Sequence, residues 1–579
     1  MYTRINHYLY FLIFILLSCN KDVAYSELSY SGDIRINQIG FRPGAPKTAV
    51  VLGNAEVFHL VDVSSQKVAF TGRFLDHTTT HEKQALIADF SEFTETGQYV
   101  IHVPGVGYSP EFTIDHVVFE ELGTASLKAF YYNRASIELE EQYAGAWARP
   151  LGHPDDRVLV HASAASKERP EGTVLSVPKG WYDAGDYNKY IVNSGITMGT
   201  LLSLYEDFPS HSSSLNLNLP ESGNGIPDLL NEALWNLEWM IKMQDPHDGG
   251  VYHKLTAAKF EGTLLPHEAQ STRYVVAKST AAALNFAAVM AQASRVYGDF
   301  LPDMAIECLK AAQMAWVWAK SNPETYYEQA DLNKKFHPSI ETGAYGNRML
   351  GDEWLWAASE LYISTHNKEY LDFIPHPESF ELPNWGNVGW LGYYSLLRYR
   401  EDLHLPQGLL PQIKHQLLQK VEEYATAAKD SDYRVVMGYR ETDFVWGSNS
   451  VAANQGIALL QAYILTGDGK YTSLAQANLD YLLGRNATGY CYVTGFGQQS
   501  PQDPHHRASA AAPDTPPVPG FIVGGPNPGQ QDGCNYRSKI PSESYVDDYC
   551  SYASNEVSIN WNAPFAYLIN GLEAILKQK

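Results

Sequence analysis

The sequence predicts two domains, a small β-sandwich followed by a larger, mainly helical domain. The chain has 579 residues, of which 45% are hydrophobic and 18% charged. This composition excludes a disordered protein and fits a well-packed globular one. Short β-type runs separated by turns lie between residues 34 and 114, and long stretches with helical periodicity follow residue 115. We therefore expect a sandwich over residues 33–115 and a helical domain over 116–579, preceded by an export signal over 1–19 and a linker over 20–32.

The first domain is predicted from four apolar runs, at residues 49–52, 57–61, 99–103 and 112–114. Turn signals such as Gly53-Asn54 and Thr96-Gly97 separate them. The pattern is typical of a small all-β, immunoglobulin-like sandwich. Because this stretch contains no cluster of acids and bases, we expect it to have a supporting role.

The second domain is predicted from apolar residues at helical spacing, beginning with Leu230, Leu234 and Leu237. Further helices are expected at residues 353–364, 413–428, 450–465 and 471–483. Pairs of helices with functional loops at one end suit an α/α barrel. The longest helix-poor stretch covers residues 484–548, and loops of that length inside a compact domain are usually functional.

The charge and the aromatic content limit the partners. A formal net charge of -23 argues against DNA or RNA, whose binding depends on clustered Lys and Arg. The 38 Tyr and 12 Trp exceed what core filling usually needs, and their flat apolar faces suit carbohydrate.

The amino terminus predicts export. An apolar run from Tyr8 to Leu17 follows Arg4 and is too short to span a bilayer, so it is interpreted as a cleaved signal. Cys19 directly after it resembles the lipid-modified cysteine of a bacterial lipobox, and the next residue is not the Asp typical of inner-membrane retention. We expect an outer-membrane lipoprotein anchored through Cys19 that can face the cell surface. The alternative is an ordinary signal peptide with an incidental cysteine.

The remaining cysteines include no Cys-x-x-Cys pair, which argues against a structural zinc site or a redox pair. In an oxidising compartment Cys534 and Cys550 could close a short loop as a disulfide, but the spacing alone leaves this open.

The segment from Trp181 to Tyr190 contains two carboxylates, Asp183 and Asp186, with Gly185 between them and aromatic residues on both sides. Trp181 offers a face on which a sugar ring could stack. Hydrolysis of a glycosidic bond usually needs carboxyl groups on opposite sides of the bond, so a distant partner acid is required.

Two later segments carry the remaining candidates. Pro504-His505-His506-Arg507 could hydrogen-bond sugar hydroxyls, although such a string is more often a surface feature. Glu556 has Tyr, Trp, Val and Ile as near neighbours in the sequence, and apolar surroundings raise the pKa of a carboxyl group as a general acid requires. The alternative for Glu556 is a residue that borders the last helix.

These three segments, in this order and at these distances, resemble glycoside hydrolase family 9. The resemblance covers essentially all of the chain after residue 115, and residues 34–43 resemble the immunoglobulin-like module that precedes many members. It implies a six-hairpin (α/α)6 barrel and hydrolysis of β-1,4-glucans with inversion. Inversion requires room for a water molecule between carboxyl groups roughly 6.5 to 9.5 Å apart.

The resemblance also implies a role for each matching residue. Asp186 corresponds to the general base, Asp183 to its helper in holding water and Glu556 to the general acid, and Asp547, at an acidic position of the terminal motif, is expected to be catalytic with them. The implied substrate contacts are His505, Arg507, Tyr552 and His253, with Tyr545 at a further aromatic position, and Trp181 is the expected stacking residue of the aspartate segment itself. No cofactor is implied for the chemistry, but Asp352 and Glu353 resemble a calcium ligand pair. Two adjacent acids are more often a solvated helix start. Leu255-Thr256 stands where some members carry Trp, which leaves the shape of the cleft open.

The sequence therefore predicts an exported glycoside hydrolase that cleaves β-1,4-glucans, endo-acting on cellulose-like, mixed-linkage or xyloglucan chains. An exo-acting β-glucosidase or glucosaminidase on the same scaffold is an alternative. A surface protein that binds glycans without catalysis is another, against which Asp183, Asp186 and Glu556 together argue.

Overall fold

The computed structural model describes residues 30–74, 77–80 and 83–577. The predicted signal sequence and Cys19 lie outside these ranges. Within these ranges the first domain contains ten strands: β1 (Ile34–Arg35), β2 (Gly40–Phe41), β3 (Thr48–Leu52), β4 (Val57–Asp62), β5 (Val68–Arg73), β6 (His77–Thr80), β7 (Lys83–Asp89), β8 (Gly97–Val103), β9 (Gly107–Tyr108) and β10 (Phe112–Ile114).

These strands form two sheets that pack face to face. One has the order β1-β3-β7-β6, and the other β2-β10-β8-β4-β5, with β9 paired to β8. Alternate side chains of each strand point into the space between the sheets, where Phe41, Phe58, Phe90 and Phe112 are fully or almost fully buried. Phe41 meets both Phe90 and Phe112 edge to face. The predicted sandwich is confirmed.

The sandwich is joined to the helical domain by buried polar contacts. Asn37 donates to Asp480 at 2.8 Å, and the Gln38 side chain donates to the Gly489 carbonyl oxygen at 2.8 Å. A salt bridge of 2.6 Å links Arg42 to Glu573 on the last helix. Because buried polar groups need partners, these contacts fix how the two domains sit together.

The rest of the chain is mainly helical, with five short strands. Its helices are α1 (Glu120–Tyr132), α2 (Glu141–Ala144), α3 (Ile191–Asp207), α4 (Pro209–Ser214), α5 (Asp228–Lys242), α6 (Thr280–Val296), α7 (Pro302–Ser321), α8 (Gln329–Asn333), α9 (Gly351–Thr365), α10 (Gly389–Arg398), α11 (Leu409–Asp430), α12 (Ser448–Thr466), α13 (Gly469–Leu482), α14 (Arg507–Ala510) and α15 (Ile559–Lys577). The four helices expected from periodicity correspond to α9, α11, α12 and α13.

The helices form the two layers of an (α/α)6 barrel. Helices α3, α6, α12 and α15 are buried along most of their length, as expected of an inner layer. Helix α11 buries only the stripe Leu409, Ile413, Leu417, Val421, Tyr424 and Ala428, as expected of an outer helix with one face in solvent. Within the described ranges, no helix is both long and apolar enough to cross a membrane.

A small sheet and the long loop 484–548 accompany the barrel helices. The sheet contains β11 (Val158–Val160), β12 (Val174–Leu175), β13 (Lys189–Tyr190), β14 (Lys254–Ala257) and β15 (Arg273–Val275), in the order β12-β11-β15-β14-β13. Strand β13 leads from the Asp183–Asp186 turn directly into α3. The segment 484–548 contains only α14 and one 3-10 turn, so it is the loop region that the sequence predicts.

Candidate active site

The predicted site residues converge on Gly185. The amide nitrogen of Gly185 donates to Glu556 Oε1 at 3.3 Å, and its carbonyl oxygen accepts from Arg507 Nη1 at 2.8 Å. A Cβ atom at this position would lie 2.3 Å from the His505 carbonyl oxygen and 3.2 Å from Glu556 Oε1. Glycine is therefore required here because the backbone of the aspartate turn touches the two later segments.

Asp186 and Asp183 lie on the same turn but have different partners. Asp186 is 5% exposed, and its Oδ2 accepts hydrogen bonds from Tyr190 Oη at 3.0 Å and from the Asn188 side chain. Asp183 Oδ2 accepts from Tyr345 Oη at 2.8 Å, and its Oδ1 accepts from the Asn193 amide. Both oxygens of Asp183 are thus held, whereas no described residue donates to Oδ1 of Asp186.

The electrostatic environment raises the pKa values of two of the three carboxyl groups. Burial, and then repulsion by the Asp186 carboxylate, raise the pKa of Asp183 to about 8. The same two causes, in the same order, raise the pKa of Glu556 well above its ordinary value, with a smaller contribution from Asp183. A carboxyl group with so high a pKa keeps its proton at neutral pH and can donate it to a leaving group.

Glu556 is placed opposite the aspartate turn by backbone pairing. The His505 amide nitrogen donates to the Asn555 carbonyl oxygen at 2.9 Å, and a bridge pairs His505 with Glu556 in parallel. The Gly524 amide nitrogen donates to the Glu556 carbonyl oxygen at 2.9 Å. Glu556 precedes α15, so the last inner helix and the loop 484–548 together position the candidate acid.

His505 and Arg507 lie at the site, as the sequence predicts. His505 Nδ1 bonds the Tyr549 carbonyl oxygen at 2.7 Å, so Nδ1 carries the hydrogen and Nε2 of the neutral ring is left as an acceptor. Burial lowers the pKa of His505, which favours this neutral form. Arg507 Nε donates to the Glu261 carbonyl oxygen at 2.9 Å. The guanidinium therefore links the aspartate turn to the loop that carries Glu261, and it also faces the cleft.

Tyr552 also lies at the site. Its ring is 6.0 Å from that of His505 and 5.4 Å from that of Trp446, whose side chain is 44% exposed. Tyr545 lies behind this wall, where it is buried and donates to Asn555 Oδ1 at 2.6 Å. Trp446 is far from every sequence motif, and only the fold brings it to the cleft.

Three predicted roles are contradicted by the positions of the residues. Trp181 is fully buried and donates from Nε1 to Glu232 at 2.8 Å, so it offers no face to a sugar. His253 is 1% exposed, and both of its ring nitrogens are bonded at 2.8 Å, one to Ser279 Oγ and the other to the Ala344 carbonyl oxygen. Trp181 and His253 therefore stabilise the core and do not contact the substrate.

Asp547 is the third residue whose predicted role is contradicted. Its carboxylate accepts from the amide nitrogens of Gln502 at 2.8 Å and Asp503 at 3.0 Å, and from the Asn555 side chain at 3.0 Å. These bonds anchor the loop immediately before His505. The structure therefore places Asp547 as a support for that loop and not among the reacting groups, in contrast to the predicted catalytic role.

The structure brings in residues that sequence reasoning missed. Tyr345 binds Asp183 from a loop 162 positions further along the chain and has a left-handed φ of 47°, a strained conformation for a non-glycine residue. Its ring meets those of Tyr190 and Trp385 edge to face. No local pattern marks Tyr345, whereas Asn188 lies inside the aspartate motif and could have been noticed as a polar neighbour of Asp186.

The remaining predicted residues lie away from the turn. Glu353 Oε2 is buried and has no hydrogen-bond partner among the described residues, and Asp352 beside it accepts from the Val388 amide nitrogen at 2.7 Å. Such an oxygen pair suits calcium, but no group of three His, Cys, Asp or Glu lies together in the described part of the chain, so carbonyl oxygens and water would have to complete the shell. Asn347 donates to Glu353, so calcium there would steady the loop that carries Tyr345. Its presence stays a prediction.

Cys534 and Cys550 form a disulfide with a Cα–Cα distance of 6.1 Å. It closes the loop that carries Tyr549, the acceptor for His505 Nδ1. The thiols of Cys308 and Cys491 are free and buried. Leu255 and Thr256 are also fully buried, so they do not form a wall of the cleft.

Comparison with known proteins agrees with this site. The model of glycosyl hydrolase family 9 matches residues 119–569, and that of the cellulase N-terminal ig-like domain matches residues 29–108. A xyloglucan-specific endo-beta-1,4-glucanase of Bacteroides ovatus is 46% identical over 552 residues, which cover 94% of each chain. Endoglucanase D of Acetivibrio thermocellus is 31% identical, over 94% of this chain and 83% of its own.

A solved structure described as a Bacteroides ovatus GH9 protein has a TM-score of 0.89 and 44% sequence identity. The match covers 94% of this chain and 99% of that one. The family model includes the aspartate turn, the His505 loop and Glu556 within one continuous match. With this geometry and these relatives, the chain belongs to glycosyl hydrolase family 9 and is a glycoside hydrolase with an N-terminal immunoglobulin-like domain.

Proposed function

We propose that this chain is an endo-acting β-1,4-glucanase that cleaves xyloglucan with inversion at the anomeric carbon. Asp186 activates the attacking water, Asp183 helps to hold it, and Glu556 protonates the leaving oxygen. The observation that carries the proposal is the meeting of Glu556 with the aspartate turn at Gly185. Glu556, an acid with a raised pKa, and Asp186, a carboxylate with a free oxygen, thereby face the same site.

The water must be positioned before it can attack. Asp186 Oδ2 is held by Tyr190 and Asn188, which leaves Oδ1 to accept a proton from water. Asp183 is fixed by Tyr345 and Asn193 on the same turn, so it is a rigid second contact for that molecule. Because both groups are fixed in advance, little reorganisation is needed in the transition state.

The surroundings support a polymeric, uncharged substrate. His505 offers Nε2 as an acceptor for a sugar hydroxyl, and Arg507 supplies hydrogen-bond donors beside Glu556. Apolar side chains near the site remain exposed, including Trp446 against Tyr552 and Phe260 against the Arg507 guanidinium. Large exposed apolar groups at a cleft are suited to the faces of sugar rings. Xyloglucan is favoured because the relative with 46% identity is named for it.

We also propose that the protein is anchored to the outer membrane through a lipid on Cys19. The support is the sequence alone: an apolar run that ends at Leu16-Leu17-Ser18, followed by cysteine. A single acyl chain binds a membrane only marginally, so stable anchoring requires the multiple chains that lipoprotein modification supplies.

The first prediction concerns the close approach at Gly185. Gly185→Ala is expected to lower kcat on soluble xyloglucan about 100-fold or more, because a Cβ atom there displaces the His505 backbone and with it Glu556. Gly469→Ala is the control, since nothing lies within 4 Å of its added Cβ. A Gly185→Ala variant with wild-type kcat would contradict the geometry.

The second prediction separates the acid from the base. Glu556→Gln is expected to lower kcat on xyloglucan by about 10² to 10⁴ but to spare an aryl cellobioside, whose leaving group needs no proton. Asp186→Ala is expected to lose both activities. Wild-type kcat is expected to fall as pH rises through the pKa of Glu556, since the acid is active only while protonated.

Stopped assays over a pH series measure both effects in the second prediction. Asp331→Asn is the control because this carboxylate is exposed and pairs with Lys334 on the surface. Equal losses on the aryl and the polymeric substrate for Glu556→Gln would contradict its assignment as the acid.

The third prediction concerns the substrate and the mode of attack. The value of kcat/KM on xyloglucan is expected to exceed that on carboxymethylcellulose and on mixed-linkage glucan by about tenfold or more. The viscosity of xyloglucan should fall faster than reducing ends appear, as internal cleavage requires. A parallel course of the two signals would indicate exo action.

The fourth prediction concerns the anchor. Mass spectrometry of the mature protein from membranes is expected to find Cys19 as the first residue with acyl chains attached. Cys19→Ser should release the protein from the membrane fraction. An unmodified first residue beyond Cys19 would refute the proposal.

A further inference from the structure

Lys254 is buried beside the active site, and no acidic side chain among the described residues is in contact with it. Its side chain lies on β14, where Lys254 pairs with Tyr190 of β13, and it is fully buried. The ammonium donates to Gln329 Oε1 at 2.8 Å, Thr342 Oγ1 at 2.9 Å and the Gly343 carbonyl oxygen at 2.6 Å. All of these acceptors are neutral. Burial of a charge with neutral partners is costly, so a compensating negative charge is expected nearby.

That negative charge is found behind Tyr190. The Lys254 ammonium lies 5.5 Å from the centre of the Tyr190 ring, and the hydroxyl of this ring donates to Asp186 at 3.0 Å. Burial lowers the pKa of Lys254 to about 7, and attraction to Asp186 opposes that effect. The side chain of Tyr190 therefore separates Lys254 from Asp186, and the two charges interact across it without direct contact.

Polar groups also lie between them. Because the ammonium can only donate, the Thr342 hydroxyl accepts from it and is free to donate to Thr256 Oγ1 at 2.7 Å. The single hydrogen of the Thr256 hydroxyl has two acceptors in reach, the Ala257 carbonyl oxygen at 2.7 Å and Asn188 Oδ1 at 3.0 Å. The Ala257 amide nitrogen donates to Asn188 Oδ1 at 2.9 Å, so the backbone of β14 orients the Asn188 amide, which presents Nδ2 to Asp186.

Several charged or titratable groups face Asp186, and Lys254 is to be considered among them. Asp183 and Glu556 approach it from the turn and from the segment before α15, and the phenol of Tyr190 approaches from β13. His505 approaches from the loop, where burial lowers its pKa and keeps it neutral, while Arg507 acts on Glu556. Lys254 is thus the cation that balances Asp186 from the side of the sheet.

We propose that Lys254 is a positioning residue for the catalytic base: its buried charge, placed behind Tyr190, stabilises the Asp186 carboxylate. The inference rests on the proposed function, since it gives Asp186 the role of base. Lys254 touches neither the substrate nor the reacting atoms. Its effect is therefore expected in kcat and in the pH dependence of kcat more than in KM.

The test is the pH dependence of kcat on soluble xyloglucan for the wild type, Lys254→Met and Lys254→Gln. Without the cation, the acidic limb of the profile is expected to move up by about one pH unit in both variants, so that kcat at pH 5 falls about tenfold more than kcat at pH 7. KM should change less than twofold. Lys254→Arg, which keeps the charge, is expected to restore the position of the limb.

Thr342→Val is a second variant that keeps the charge. It removes one acceptor of the ammonium but leaves the ammonium in place, so the acidic limb should stay where it is. A limb that Thr342→Val moves as far as Lys254→Gln does would contradict the proposal. Lys254→Gln, which retains a side-chain donor, keeps the proposal testable if Lys254→Met folds poorly.

Lys47→Met is the matched control. Lys47 is equally buried, in the sandwich domain, and donates to the carbonyl oxygens of Pro43, Ala45 and Ser91 at 2.6, 2.9 and 3.1 Å. Its loss should lower the midpoint of thermal unfolding without moving the pH profile. An unmoved acidic limb in folded Lys254→Gln, or an equal loss at pH 5 and pH 7, would overturn the proposal.

The wild-type measurement distinguishes this proposal from the proposed function. Turnover by the wild type with an unmoved limb in the variants refutes the role of Lys254 alone. A folded wild type with no turnover of any β-glucan refutes the proposed function, and the role of Lys254 with it.

Discussion

The site depends on one close backbone contact, in which the turn at Gly185 touches the His505 segment and Glu556. There is space for a hydrogen atom and not for a methyl group, since a Cβ atom would lie 2.3 Å from the His505 carbonyl oxygen. The contact joins the start of an inner helix, α3, to the start of another, α15. Because helices α3 and α15 are almost completely buried, the barrel holds the contact rigidly.

The three carboxyl groups at this contact would repel one another if all were ionised. Burial and mutual repulsion raise the pKa values of Asp183 and Glu556, and both effects favour the protonated forms. Hydrogen-bond donors hold Asp183 and Asp186, and the buried ammonium of Lys254 lies behind Tyr190. The arrangement gives chemically identical groups different protonation states, which acid–base hydrolysis requires.

Much of this could be predicted from the sequence, because the motifs are local. The strands near residues 49 and 99 and the helices near 413 and 450 follow from short-range periodicity, and the turn with Asp183 and Asp186 from adjacent residues. Two of the three errors have the same physical origin. Trp181 and His253 are next to functional positions in sequence, but their side chains point into the core, and sequence adjacency does not determine direction.

The residues that were missed depend on contacts between distant segments. Tyr345 binds Asp183 from another loop, and Lys254 faces Asp186 across the ring of Tyr190. Asp547 shows the converse, since its carboxylate bonds the backbone of a loop more than 40 positions earlier. Such roles arise from the topology and leave no periodic signal in the chain.

The most direct test of this account is the configuration of the sugar first released. Proton NMR of the anomeric signals, recorded in the first minutes of β-glucan hydrolysis, distinguishes direct attack of water from a covalent intermediate. Water held by Asp186 opposite Glu556 must produce α-configured reducing ends, which only later mutarotate. Initial formation of β-configured ends would show that a carboxylate attacks carbon itself and would contradict the arrangement described for Asp186 and Glu556.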